Sequence, residues 1–95
     1  MNKLKAIEYF IASCEEGSFA RAAQRQEVSV PAVQKLVSAL ERSVGFALLE
    51  RGARGVRPTA AGSEYLDRCR PLLAELEELW QAERALSGSS ERASG

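Results

Sequence analysis

Hydrophobic residues recur along this chain at three- and four-residue steps, the period of an α-helix that buries one face. Leu4, Ile7, Phe10, Ile11 and Cys14 keep that step and predict a first helix from about Asn2 to Glu16. Gly17 follows its last turn, where a left-handed cap favours glycine. Ser18 then opens a second, short pattern through about Gln26 that turns Phe19, Ala22 and Ala23 inward. Alanine is small and admits a neighbouring helix closely. Ser29 is a good N-cap for a third helix, with Pro31 in its first turn, where a missing N–H costs nothing. Val33, Val37, Leu40 and Val44 form its inward stripe, and Gly45 ends it. Two serine-capped helices joined by a short turn leave the second one presented rather than buried.

The period then changes. Leu48 to Arg51 and Val56 to Pro58 are short strand-like pieces around Gly52, Ala53, Arg54 and Gly55, which predicts a small hairpin over about 48–58. Alone it is marginal, so it must lean on the helices. Thr59 caps a long fourth helix reaching about Leu86. Tyr65, Cys69, Leu72, Leu76, Leu79 and Leu86 step by four and three as a heptad seam interrupted by Glu83, and Leu66, Leu73 and Trp80 widen it. Roughly 28 residues at ~1.5 Å each make a rod of about 42 Å, too long for three short helices to cover. Pro71 lies within it and predicts a kink or a change of direction. Residues 88–95 are small and polar and read as a flexible tail. The chain therefore divides into a compact unit at 1–58, a long helix at 59–87 and that tail.

Ninety-five residues suffice for one small domain. Formal net charge is zero, which looks wrong for a nucleic-acid binder until the charges are located. From Ser18 to Pro58 there are seven basic residues (Arg21, Arg25, Lys35, Arg42, Arg51, Arg54, Arg57) against three acidic (Glu27, Glu41, Glu50), a balance of +4. From Pro71 onward five acidic residues face two basic, a balance of −3. A local patch, rather than net charge, sets attraction to phosphates. There is no histidine, which excludes Ser-His and Cys-His catalysis and the usual zinc fingers. No cofactor or metal is expected. Cys14 and Cys69 lie far apart on apolar stripes and read as free buried thiols in a reducing cytoplasm. Apolar runs are too short to span a membrane.

With Val33, Val37 and Leu40 inward, helical geometry points Val30, Pro31, Gln34, Lys35 and Ser38 outward. Gln34 suits an adenine edge, Lys35 a guanine or phosphate, and Val30 a thymine methyl. A plain solvated face is the alternative. Arg51, Arg54 and Arg57 ride on the hairpin, where an arginine at a narrow tip can enter a minor groove while its neighbours hold phosphates; an ordinary basic turn is the other reading. The helix starts at Ser18, Ser29 and Thr59 present N–H groups to phosphate oxygens, although capping alone explains these residues equally well.

The stretches IEYFIASCEEGSF, ARAAQRQEVSVPAVQKLVSALE and LLERGARGVRPTAAG, in that order and spacing, resemble the N-terminal domain of LysR-type transcriptional regulators over about residues 3–86. The resemblance implies a mainly α fold: a winged helix-turn-helix of three helices plus a β-hairpin wing, followed by a long dimerisation helix. It implies dimeric, sequence-specific binding to double-stranded DNA at interrupted inverted repeats, with tetramers possible in full-length members. It places the helix-turn-helix at about 18–37, with Val30, Pro31, Gln34 and Lys35 near the bases. The wing carries Arg51, Arg54 and Arg57, Thr59 opens the linker helix, and Tyr65, Cys69, Leu72, Leu73, Leu76, Leu79 and Trp80 form the dimer face. The family often has glutamine at Val30 and serine at Gln34, so its base contacts do not transfer. An effector domain follows the linker helix in full-length members, which makes this chain read as a DNA-binding fragment, with a natural stand-alone domain as the alternative. The competing function is a helical protein-interaction module with an incidental basic patch.

Overall fold

A computed structural model of the chain describes residues 1–94; Gly95, the last residue of the expected tail, lies outside them. Six elements follow in order: α1 (Lys3–Glu16), α2 (Phe19–Gln26), α3 (Val30–Val44), β1 (Leu49–Gly52), β2 (Gly55–Pro58) and α4 (Ala60–Ser94). Each of the first three helices starts where a side-chain oxygen accepts an otherwise orphaned N–H. Asn2 takes Lys5 N at 3.1 Å, Ser18 takes Arg21 N at 3.2 Å and Ser29 takes Ala32 N at 3.2 Å. Gly17 and Gly45 close α1 and α3 in the left-handed conformation, as the sequence indicates. The turn between α2 and α3 does the same with Glu27, at φ 58°, the one residue other than glycine with positive φ among those described.

Helices α1, α2 and α3 pack on one another around Ala6, Phe10, Ala12, Ala22, Val33, Val37 and Leu40, all fully buried. The inward stripes read from the sequence are this core. Truncating Phe10 or Leu40 removes a whole side chain from a dry interior, a loss of about 2–5 kcal/mol. Ser13 is the buried polar residue, and its hydroxyl donates to the Tyr9 carbonyl at 2.8 Å.

The two strands pair antiparallel, with Leu49 opposite Pro58, Glu50 opposite Arg57, Arg51 opposite Val56 and Gly52 opposite Gly55. They lean on the helices as a marginal hairpin must. Leu48, Leu49 and Val56 are buried, Val56 N donates to Gly17 O at 3.0 Å, and the Glu41 carboxylate accepts from Leu48 N at 2.7 Å and Leu49 N at 3.3 Å. At the base of the hairpin Thr59 N donates to Leu48 O at 3.0 Å, and its hydroxyl donates to Ala47 O at 2.7 Å. Two close approaches require glycine: a Cβ on Gly55 would collide with Gly17 O, and one on Gly62 with Leu48 O.

Helix α4 is unbroken at Pro71 and extends to Ser94, well past Leu86. Residues 88–94, expected as a flexible tail, are therefore helical. Extending an existing helix adds one hydrogen bond per residue fixed, and Glu91, Arg92 and Ala93 are good helix formers. The molecule measures 56 × 25 × 22 Å, and α4 supplies the long dimension.

Candidate nucleic-acid interface

Helix α3 is half inside and half out. Val33, Val37 and Leu40 are fully buried, while Pro31 and Lys35 are exposed and Gln34 and Ser38 half-exposed on other sides of the same helix. Among the described residues Arg51 of β1 reaches this ridge at Ser38, and Pro31, Gln34 and Lys35 are left as the natural surface for a groove. Val30 departs from the expected outward set. It is half-buried and packs against the core, because it stands at the first helical position, close under the turn from α2.

The serines and threonine at the helix starts are all used as caps. Ser18 and Ser29 accept backbone N–H groups as described, and Thr59 Oγ1 accepts from Gly62 N at 2.8 Å while donating to Ala47 O. Their hydroxyls are thus committed within the protomer.

The hairpin separates its three arginines. Arg57 pairs with Glu50 across the strands at 3.2 Å. Arg51 turns back toward the helices: its guanidinium carbon lies 5.1 Å from the centroid of the Phe19 ring, and Nη2 donates to Ser38 Oγ at 3.5 Å. Arg54 stands exposed at the tip between Ala53 and Gly55. Only one of the three is held out toward solvent with no partner among the described residues.

The remaining cations sort in the same way. Arg25 is held by Glu15 at 2.8 Å and Glu16 at 3.4 Å, and these carboxylates hold its guanidinium above its ordinary pKa. Glu15 also takes Arg70 of α4 at 3.5 Å. Within residues 18–58, Arg21, Lys35, Arg42, Arg51 and Arg54 make no ion pair among the described residues, so they carry the positive potential of that region. Arg21 and Arg42 were not singled out from the sequence. For Arg21 a signal existed: it lies in the first turn of α2, where a cation is disfavoured by the helix dipole, so that helix does not explain it.

Helix α4 has two faces. Leu66 and Cys69 are buried in their own domain at 7% and 6% exposure, so Cys69, expected on the dimer face, is turned toward its own core. Its neighbours Tyr65 and Leu73 are half-buried against the same core, with Tyr65 between Phe10 at 5.8 Å and Phe46 at 6.3 Å. The heptad pattern could not make this distinction, because the first turns of α4 pack on their own domain before the helix leaves it. Leu72, Leu79 and Leu86 remain 61%, 51% and 70% exposed, with Leu76 and Trp80 half-exposed beside them. No cluster of three metal-ligating side chains occurs among the described residues, and no described helix is long and apolar enough to cross a membrane.

Residues 4–63 match the family described as "Bacterial regulatory helix-turn-helix protein, lysR family". The chain is 47% identical over 72 residues to the HTH-type transcriptional regulator TfdT of Cupriavidus pinatubonensis, covering 76% of this chain and 32% of that protein. Over 71 residues it is 42% identical to the regulator ClcR of Pseudomonas putida, covering 75% of this chain and 24% of that one. It spans about a quarter to a third of the length of these curated relatives. Among solved structures, it superposes on the crystal structure of a CbnR_DBD–DNA complex with TM-score 0.79 and 38% identity, covering 92% of this chain and 99% of that one. A BenM_DBD/benA site 1 DNA complex gives TM-score 0.80 at 30% identity, covering 88% and 94%.

Proposed function

Because the chain belongs to the lysR family of bacterial regulatory helix-turn-helix proteins, we propose that it is the DNA-binding unit of a transcription regulator acting as a dimer in the bacterial cytoplasm. Helix α3 enters the major groove of double-stranded DNA. Gln34 and Lys35 meet base edges, Pro31 lies beside them, and Arg54 at the wing tip reaches the adjacent minor groove. The exposed leucines of α4 pair with a second copy, so that two units read the halves of an interrupted inverted repeat. The unit carries out no catalysis. An effector-binding domain completes the regulator, and a tetramer is possible for full-length copies.

The single observation behind this reading is the two-sided α3, fully dry along Val33, Val37 and Leu40 and open along Pro31, Gln34 and Lys35. The likeness to DNA complexes supports it. The test is the salt dependence of duplex binding. With on the order of 6–8 phosphates neutralised per dimer, log affinity falls against log salt with a slope of roughly −5 to −7. A flat dependence, together with capture of a protein partner by α4, would favour an interaction module instead.

A further inference from the structure

Arg51 lies on the wing's first strand, and the strand register decides where it points. Residues directly opposite on an antiparallel pair share a face, as do residues two apart on one strand. Leu49, Arg51 and Val56 therefore share one face, and Leu49 and Val56 are buried there against the helices. Glu50 and Arg57 share the opposite face, where they pair with each other. A cation on the inward face needs partners at the edge of the core. Arg51 has two, on different helices. The ring it covers belongs to Phe19, which opens α2 and is itself only 9% exposed, and the hydroxyl it reaches belongs to Ser38 on α3.

We propose that Arg51 is a positioning residue that braces the wing against both helices of the helix-turn-helix and holds no phosphate itself. This rests on the DNA-binding reading and deepens it. Two backbone bonds hold the wing, Thr59 N to Leu48 O at its base and Val56 N to Gly17 O directly across the strands from Arg51. Arg51 adds a side-chain anchor at the same level on the other strand, beside Gly52, and with it sets the offset between the α3 ridge and Arg54. The planar guanidinium suits this task because its face stacks on an aromatic ring while its edge donates a hydrogen bond; a lysine ammonium has no such plane. Ser38 belongs to the same brace, which takes its hydroxyl away from base reading.

The test uses the 95-residue chain and duplexes that the wild type selects from a random pool. Arg51→Met keeps the aliphatic stem and removes the guanidinium; Arg51→Lys keeps the charge. Both variants are expected to lose affinity on the order of tenfold per dimer, with the salt slope unchanged. Arg54→Gln, by contrast, lowers the slope by about 0.9 for each protomer. Both Arg51 variants also lose discrimination between A·T and G·C steps under the wing, while discrimination at the bases under α3 survives. A reduced stability alone would not separate those two readouts in protein that is still folded. The brace is overturned if Arg51→Met lowers the slope as Arg54→Gln does, or if Arg51→Lys restores wild-type binding. A flat slope in the wild type overturns the DNA-binding reading and this inference with it, and it shows before any variant is made.

Discussion

At the scale of single residues, the sharpest expectation concerns Gln34. Val33 and Val37 of α3 are fully buried whereas Gln34 is half-exposed, so replacing it with Ala leaves the core intact. If Gln34 makes a bidentate contact to a base, Gln34→Ala reduces discrimination between selected and random duplexes by about 1–3 kcal/mol. Competition binding measures this, and equal losses on both duplexes would contradict base reading at that position. The two cysteines give a second expectation. Burial pushes the Cys14 thiol up to about 11, against the pull of the Arg70 guanidinium, and burial also raises Cys69. A raised thiol favours the protonated fold, so this contribution to stability is intact below the ordinary value of 9.0 and is lost as pH rises through about 11. At pH 8 the reactive thiolate of Cys14 is then roughly a hundredfold scarcer than in an unfolded chain. Alkylation followed by mass spectrometry should show that protection, and labelling at the unfolded rate would contradict it. Caps and inward stripes were legible in the sequence because each depends on residues within one turn. The roles of Arg51, Ser38 and Val30 were not. Those follow from which element faces which, and the three hairpin arginines look equivalent until the strand register assigns Arg51 to the inner face.

Among the elements, the α2–α3 turn stores strain that the sequence does not advertise. Glu27 ends α2 at φ 58°, where a side chain costs about 1–2 kcal/mol relative to glycine. Its N–H still closes the turn onto the Ala23 and Gln24 carbonyls, so the conformation is held by the backbone. Glu27→Gly should therefore stabilise the domain by about 0.5–1 kcal/mol after the loss of backbone entropy. A higher urea midpoint at unchanged slope is the readout, and a lower midpoint would show that the Glu27 side chain contributes more than its strain costs. Gly55→Ala goes the other way, since the new Cβ meets the Gly17 carbonyl and the wing must lift from α1. The positions of the four helices and the hairpin were readable to within a residue or two at most ends, because glycine, serine and proline punctuate them. The end of α4 was not. Small polar residues after Leu86 look like a linker, yet a helix already nucleated by some 27 residues propagates through them.

On the scale of the whole molecule, the question is what covers the outer half of α4. The compact unit formed by α1, α2, α3 and the wing packs its core against Leu66, Cys69 and Leu73 of that helix, and Glu77 and Trp80 still share a pocket with Glu8, Ile11, Arg25 and Gln26. On another face of the helix Leu72, Leu79 and Leu86, one heptad apart, stand half or more exposed along a 56 Å body. Burying two copies of such a stripe against each other removes apolar surface at about 25 cal/mol per Å², whereas an aspartate placed in the middle of it must be desolvated without a partner. Leu79 is the better place for that substitution. It is 51% exposed in the single chain, so changing it leaves the protomer's own core untouched. Leu79→Asp is expected to give monomers by light scattering while keeping the wild-type circular dichroism of a folded unit. The same variant tests how the two halves of the proposed site depend on each other. A monomer carries half the phosphate contacts, so its salt slope on an inverted repeat should fall to about half that of the wild type, and its preference for two half-sites over one should disappear. Unchanged mass would mean that the exposed leucines meet something other than a second copy. Monomers that retained the full slope would mean that one protomer alone spans all the phosphates, leaving α4 no part in DNA binding.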